Sequence, residues 1–91
     1  MKHAVIIDDD DEHRQSEAIR VAVGLTLCDD TVDLYVINTL LAQDEGIKKN
    51  LDMLNMTGGS IYSNESKNSF KTISTHEFSE KILEYDSVFA Y

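Results

Sequence analysis

Arg14 to Leu27 read RQSEAIRVAVGLTL, a stretch with a polar first half and an almost wholly apolar second half. This composition is typical of a helix whose last two turns need cover on more than one side. Apolar runs precede and follow the stretch, at Ala4–Ile7 and at Val32–Asn38. A helix between two such runs indicates the first crossover of a parallel α/β sheet. Because the chain has 91 residues, cover on two sides indicates that a partner subunit contributes part of it.

The rest of the chain alternates in the same way. We expect strands at Lys2–Ile7, Val32–Asn38, Ser60–Ser63, Thr72–Ser74 and Ser87–Tyr91. Helices are expected at 12–27, at 44–55 and after Thr75, which we predict to be the N-cap of a third helix with Phe78, Ile82 and Tyr85 on one face. The order predicts one α/β domain, residues 1–91, with a parallel sheet and helices on both faces.

The charge balance limits the classes of partner. Seventeen acidic and eight basic residues give a net charge of −9, which repels phosphate backbones and anionic membranes. We therefore expect no nucleic-acid or membrane partner. The single cysteine, Cys28, excludes an internal disulfide and a Cys-rich zinc site. Met1–Asp8 lacks the long apolar region of a signal peptide, so we expect a cytoplasmic protein.

In parallel sheets the functional crevice lies beyond the carboxyl ends of the strands. Here those ends are residues 8–13, 38–41 and 63–68. We expect a small polar pocket at this edge, without a catalytic residue, a metal or a cofactor. Its candidate residues are Asp8, Asp9, His13, Asn38, Thr39, Ser63 and Asn64.

The acidic run Asp8–His13 leaves two interpretations open. It fits a solvated loop whose last acids favour the amino terminus of the following helix. It also fits a small-ligand or divalent-metal-binding module built from carboxylate oxygens, although the glycine and terminal glutamate of a calcium loop are missing. The start of the run resembles response-regulator receiver domains as well, but Asn38 and Ser63 stand where a phosphate-accepting aspartate would be needed.

Four segments together resemble the DsrE/DsrF/DsrH (TusD/TusC/TusB) family of small sulfur-relay proteins. They are the helix at 14–25, the strand Val32–Asn38, the segment Leu54–Ser63 and the closing segment Tyr85–Tyr91. The resemblance implies a DsrE-like, flavodoxin-like three-layer sandwich that assembles into dimers, trimers or hexamers. It also implies a cytoplasmic role in passing persulfide sulfur, in which only some members carry an acceptor cysteine.

That cysteine normally follows the third strand, where this chain has Ser63 and Asn64. Neither side chain forms a persulfide, because the relay chemistry needs a thiolate. The resemblance therefore implies an accessory or structural protomer, without catalysis of its own, in a homo- or hetero-oligomer of related subunits. Cys28 is the remaining possible sulfur carrier. Its place at a helix carboxyl end, beside Asp29 and Asp30, is expected to raise the pKa of the thiol, which disfavours that role.

Overall fold

The computed structural model describes residues 1–27, 31–68 and 70–91. Its strands are β1 (Lys2–Ile7), β2 (Thr31–Val36), β3 (Ser60–Ser63), β4 (Lys71–Thr72) and β5 (Ser87–Ala90). Its helices are α1 (Glu12–Thr26), α2 (Glu45–Met56) and α3 (Thr75–Lys81), with 3₁₀ turns at Ser66–Asn68 and Ile82–Glu84. The strands form one parallel sheet, as the alternating sequence predicts, and their order in the sheet is β4-β3-β2-β1-β5.

Each helix begins at a side-chain cap. Asp11 accepts a hydrogen bond from the His13 backbone N–H at 2.9 Å, and Asp44 accepts one from the Ile47 N–H at 3.2 Å. The prediction that Thr75 caps α3 is wrong, because Ser74 has that role. The Ser74 hydroxyl accepts from the backbone N–H of the glutamate three residues later, whose carboxylate accepts from the Ser74 N–H in return.

Three strands differ in their bounds from those expected: β5 ends one residue earlier, at Ala90, and β2 and β4 differ at both ends. β2 ends at Val36 rather than Asn38, because Asn38 has a φ of 58°, which an extended strand does not allow. The fourth strand is Lys71–Thr72 rather than Thr72–Ser74, since Ser74 already belongs to the cap of α3. The positive φ of Asn38 turns the chain sharply at the carboxyl edge of the sheet.

Two hydrophobic layers enclose the sheet. The larger one joins Val5, Ile7, Leu34 and Val36 to α1 and α2. The smaller one, around the fully buried Tyr35, is packed by half-buried side chains of the α3 segment, Phe78, Ile82 and Tyr85. Side chains of successive strand residues point to opposite faces, so a mostly apolar strand needs both layers. The predicted three-layer architecture is confirmed.

Other parts of the same chain cover α1 on two sides. Ala18, Ile19, Ala22 and Val23 are buried, and α1 packs on both the sheet and α2. Leu27, the C-cap residue that follows α1, is 70% exposed. The buried residues therefore need no partner subunit, and a partner at this helix remains a prediction. Cys28 and its two aspartate neighbours lie outside the described residues.

No helix in the described part of the chain is long and apolar enough to cross a bilayer.

Candidate functional site: a polar crevice at the carboxyl edge of the sheet

Two asparagines join the loops that follow β2 and β3. The Asn64 Oδ1 accepts a hydrogen bond from the Asn38 backbone N–H at 2.8 Å, and the Asn64 Nδ2 donates to the Asn38 Oδ1 at 2.9 Å. The same amide group lies 3.2 Å from the Thr75 hydroxyl at the start of α3. This reciprocal pair holds Asn38 in its left-handed conformation, so the structure brings these two predicted residues together.

Ser63, the last residue of β3, has no free capacity for hydrogen bonding. It is 1% exposed, and its hydroxyl donates to the Val36 carbonyl at 2.7 Å. The oxygen accepts from the Glu65 N–H at 3.0 Å and from the Asn68 Nδ2 at 2.9 Å. A hydroxyl has one donor and two acceptor positions, and all three are used. Ser63 is a structural hydrogen-bonding group rather than an exposed nucleophile.

Two buried amides that the sequence prediction missed connect the loops of the crevice. Asn68 accepts from the Leu41 N–H at 2.8 Å and donates to the Thr39 carbonyl at 2.9 Å. Gln15, which is fully buried, donates to the carbonyls of Asp9 and Leu40 at 2.9 and 3.1 Å and accepts from the Ala42 N–H at 2.9 Å. Such buried amides are stable only when bonded, so each fixes the loops around it.

A signal for Gln15 was present in the sequence. It precedes Ala18, Ile19 and Ala22 at helical spacing, which places a polar side chain on the buried stripe of α1. A polar group at such a position must find partners, and only the loops of the crevice lie near the start of α1. Asn68 has no comparable signal, because the run from Asn64 to Lys71 is polar throughout and nothing distinguishes this residue from its neighbours.

The carboxylates of the acidic loop point to different partners. Asp9 accepts from the Asp11 N–H at 2.8 Å and lies 3.3 Å from the Arg14 Nε. Asp10, which belongs to the predicted Asp8–His13 run but was not among the candidate residues of the polar pocket, accepts from the Thr39 hydroxyl. Asp11 caps α1. Asp8 and His13 are exposed, and within residues 1–27, 31–68 and 70–91 neither side chain forms a hydrogen bond to another crevice residue.

The separate partners of these carboxylates are relevant to the interpretation of the loop as a metal-binding site. Within residues 1–27, 31–68 and 70–91, no three His, Cys, Asp or Glu side chains are grouped closely enough to hold a metal ion. The described loop instead has the geometry of a helix cap supported by one ion pair. The crevice is therefore a rigid polar rim, and its amide and hydroxyl groups are already hydrogen-bonded to the loops that they hold in place.

A second polar cluster lies on the face of the sheet that the α3 segment covers, opposite the face that α1 and α2 cover. The Tyr85 hydroxyl donates to the Asp33 Oδ2 at 2.5 Å and lies 2.5 Å from the Tyr35 hydroxyl. Burial raises the pKa of both tyrosines above the ordinary value, and the hydrogen bond to Asp33 raises that of Tyr85 further. This cluster ties the segment before β5 to the centre of the sheet.

Comparisons with known proteins identify the fold. No family model and no curated protein matches the sequence. Among solved structures, the chain is similar to the YchN protein from E. coli, with a TM-score of 0.74 over 100% of both chains and 12% sequence identity. YchN has a DsrE/TusB-like fold. The similarity therefore establishes that this chain shares the α/β fold of YchN, a five-stranded parallel sheet with helices in one compact domain.

Proposed function

We propose that this chain is a DsrE-like accessory protomer, which assembles with copies of itself or with related subunits in a cytoplasmic sulfur-relay-type assembly and carries no sulfur of its own. The resemblance in four sequence segments and the shared fold with YchN support the family assignment. The function rests on one position, the end of β3. There the family resemblance expects an acceptor cysteine, and this chain has a serine with every hydrogen-bonding position occupied.

The assembly part of the proposal is supported by unpaired apolar surface at the edge of the sheet. β5 is an edge strand, and its Val88 and Phe89 side chains are 45% and 38% exposed. An edge strand also carries unpaired backbone N–H and C=O groups, which favour pairing with another chain. We propose that β5 and the exposed end of α1 contact a neighbouring subunit.

Native mass spectrometry before and after exposure to a persulfide donor tests this function. We expect an oligomer whose mass does not change with the donor, and the same result for Cys28→Ser. Sulfur retained on the folded protein, and lost in Cys28→Ser, would make this chain a sulfur carrier and contradict the accessory role. A monomer at all concentrations would contradict the assembly.

A second candidate, a ligand-binding module at Asp8–His13, is favoured by the exposure of Asp8 and His13 at the carboxyl edge of the sheet. It makes a separate forecast. Thermal unfolding measured with and without divalent metal would show a rise in melting temperature that disappears in the Asp8→Asn/Asp9→Asn variant. An unchanged melting temperature would eliminate the metal-binding form of this candidate.

A further inference from the structure

A groove lies beside the crevice, and the hydrogen-bonded rim does not account for it. It has a volume of about 200 Å³ and lies between α2 and the segment that connects β3 to β4. Apolar side chains from both walls line it: Leu41, Ile47, Leu51 and Phe70. Asn68, which fixes the neighbouring loop, forms part of the same wall. The groove is therefore held open by a bonded framework rather than by a mobile loop.

The charge of the groove is opposite to that of the whole chain. The charged residues that line it, Lys48 and Lys67, are both lysines, whereas the chain carries 17 acidic residues against eight basic ones. Across the described ranges 1–27, 31–68 and 70–91, neither ammonium group forms an ion pair. The rim thus combines two unneutralised positive charges with an apolar floor, which is complementary to an apolar group next to carboxylates.

The size of the groove distinguishes between two kinds of ligand. Pockets for drug-sized small molecules span roughly 300–1,000 Å³. A groove of about 200 Å³ is smaller than that, and is closer to the space that one large side chain fills in a protein interface. A single anchoring side chain in a pocket, with charged groups around it, is the usual anatomy of such an interface.

We propose that this groove binds a segment of a partner protein in which one large apolar side chain is flanked by acidic residues. The apolar side chain contacts Leu51 and Phe70, and the flanking carboxylates lie near Lys48 and Lys67. The inference rests on the proposed function insofar as an accessory protomer acts through protein partners.

Two carboxylates lie close to the groove: the Glu65 Oε1 is 3.5 Å from the Lys67 backbone nitrogen, and the Asp44 Oδ2 is 3.2 Å from the Ile47 backbone nitrogen. Because these carboxylates repel an acidic segment, binding requires the apolar anchor as well as the two lysines.

Fluorescence anisotropy with a defined peptide tests this inference. The probe is a fluorescein-labelled nonapeptide, Gly-Ser-Glu-Glu-Phe-Glu-Glu-Ser-Gly, titrated with the full-length protein. We expect saturable binding that weakens about tenfold in Lys48→Glu/Lys67→Glu, because each exposed ion pair contributes a few-fold to affinity and reversal adds repulsion. Lys49→Glu, on the same helix but outside the groove, is the matched control and should change affinity less than threefold.

Two further peptides separate the apolar anchor from the charges. Replacing the central Phe by Ala should abolish measurable binding, and replacing the four Glu by Lys should do the same. Phe70→Ala removes the apolar wall without altering charge and should also abolish measurable binding, with circular dichroism used to check that the variant is folded. Absence of saturable binding to the first peptide, or equal binding by Lys48→Glu/Lys67→Glu, would overturn the inference.

Sedimentation of the same samples keeps this test separate from the test of assembly. If the oligomer persists in Lys48→Glu/Lys67→Glu while peptide binding is lost, both proposals are supported. If the oligomer dissociates in that variant but not in Lys49→Glu, a second copy of this chain occupies the groove, and the inference of a different partner is overturned. An intact oligomer that never binds the peptide would refute the groove proposal alone.

Discussion

The two edges of the sheet differ in length, charge and exposure. β4 has two residues, both exposed, and its Lys71 ammonium lies 5.6 Å from the centre of the Tyr62 ring. β5 has four residues, none of them charged, with Val88 and Phe89 partly exposed. Proteins protect edge strands from pairing by shortening them and by placing lysine on them. β4 has both protections and β5 has neither, which indicates that β5 is the edge suited to a partner.

The residues behind the two edges also differ. On the β4 side, Asn68 and Ser63 bond β3 to the neighbouring loops through buried amide and hydroxyl groups. On the β5 side, Tyr85 joins the segment before β5 to Asp33, and the Lys2 ammonium lies 4.8 Å from the centre of the Tyr85 ring. On the β4 side, the polar groups are therefore used for hydrogen bonds within the chain. On the β5 side, the hydrogen bond of Tyr85 holds an edge strand that is exposed to solvent.

The largest effect is expected from a lysine on the unprotected edge. Val88→Lys should raise the dissociation constant of the oligomer about 100-fold or more, since burying a valine contributes about 1.5 kcal/mol or more per protomer and a lysine must be desolvated. The substitution lowers the net negative charge, so added repulsion cannot explain dissociation. Analytical ultracentrifugation measures the constant. Thr72→Lys, on β4, is the control and should leave it unchanged; equal effects at both edges would eliminate the distinction between them.

The next largest effect concerns the framework of the β4 side. Asn68→Ala removes hydrogen bonds to Leu41, Thr39 and Ser63 and leaves buried partners unsatisfied, so we expect a loss of about 2–3 kcal/mol in the free energy of unfolding. Chemical denaturation measures this loss. Asn55→Ala, at an exposed site on α2, should change stability by less than about 0.5 kcal/mol. A variant as stable as the unaltered protein would show that the amide does not hold this flank.

A smaller loss is expected on the β5 side. Tyr85→Phe removes the hydroxyl between Asp33 and Tyr35, which should cost about 1–2 kcal/mol, since the Asp33 carboxylate keeps the Ser60 N–H at 3.2 Å. Because Tyr85 supports the start of β5, the oligomer should weaken slightly as well. Tyr91→Phe, on the same flank, is the control for the loss of a hydroxyl. Identical denaturation curves for the two variants would contradict this role of Tyr85.

The smallest effect is a dependence of stability on alkaline pH. Folding raises the pKa of Tyr35 and Tyr85 above 10.0, so the folded state retains protons that the unfolded state releases. Their contribution to stability is complete below pH 10 and is lost as the pH rises above it, by at most about 1.4 kcal/mol per pH unit for each tyrosine. Denaturation at pH 9, 10 and 11 should show this decline, and it should be shallower in Tyr85→Phe. If Tyr85→Phe leaves the slope of stability against pH unchanged, the decline does not come from Tyr85.

The alternation of apolar runs and helical periodicity was sufficient to predict the parallel sheet, since buried strands and amphipathic helices have distinct patterns. Boundaries were less predictable where side chains decide them, as at Asn38 and Ser74. The loops at the carboxyl ends of the strands lie together because parallel strands end at one edge of the sheet. The residues that connect these loops, Gln15 and Asn68, could not be predicted in the same way, because they act through tertiary hydrogen bonds between distant loops. Of these two residues, only Gln15 could be recognised from the sequence, because it is a polar residue on the buried stripe of α1.

Amide hydrogen exchange at the two edges, measured across a range of protein concentrations, tests the central claim most directly. If the chain is a protomer that assembles through its unprotected edge, the amides of Ser87–Ala90 should exchange more slowly as the concentration rises, while those of Lys71–Thr72 should not change. Exchange in β5 that is independent of concentration, or slowing at β4 instead, would contradict the account.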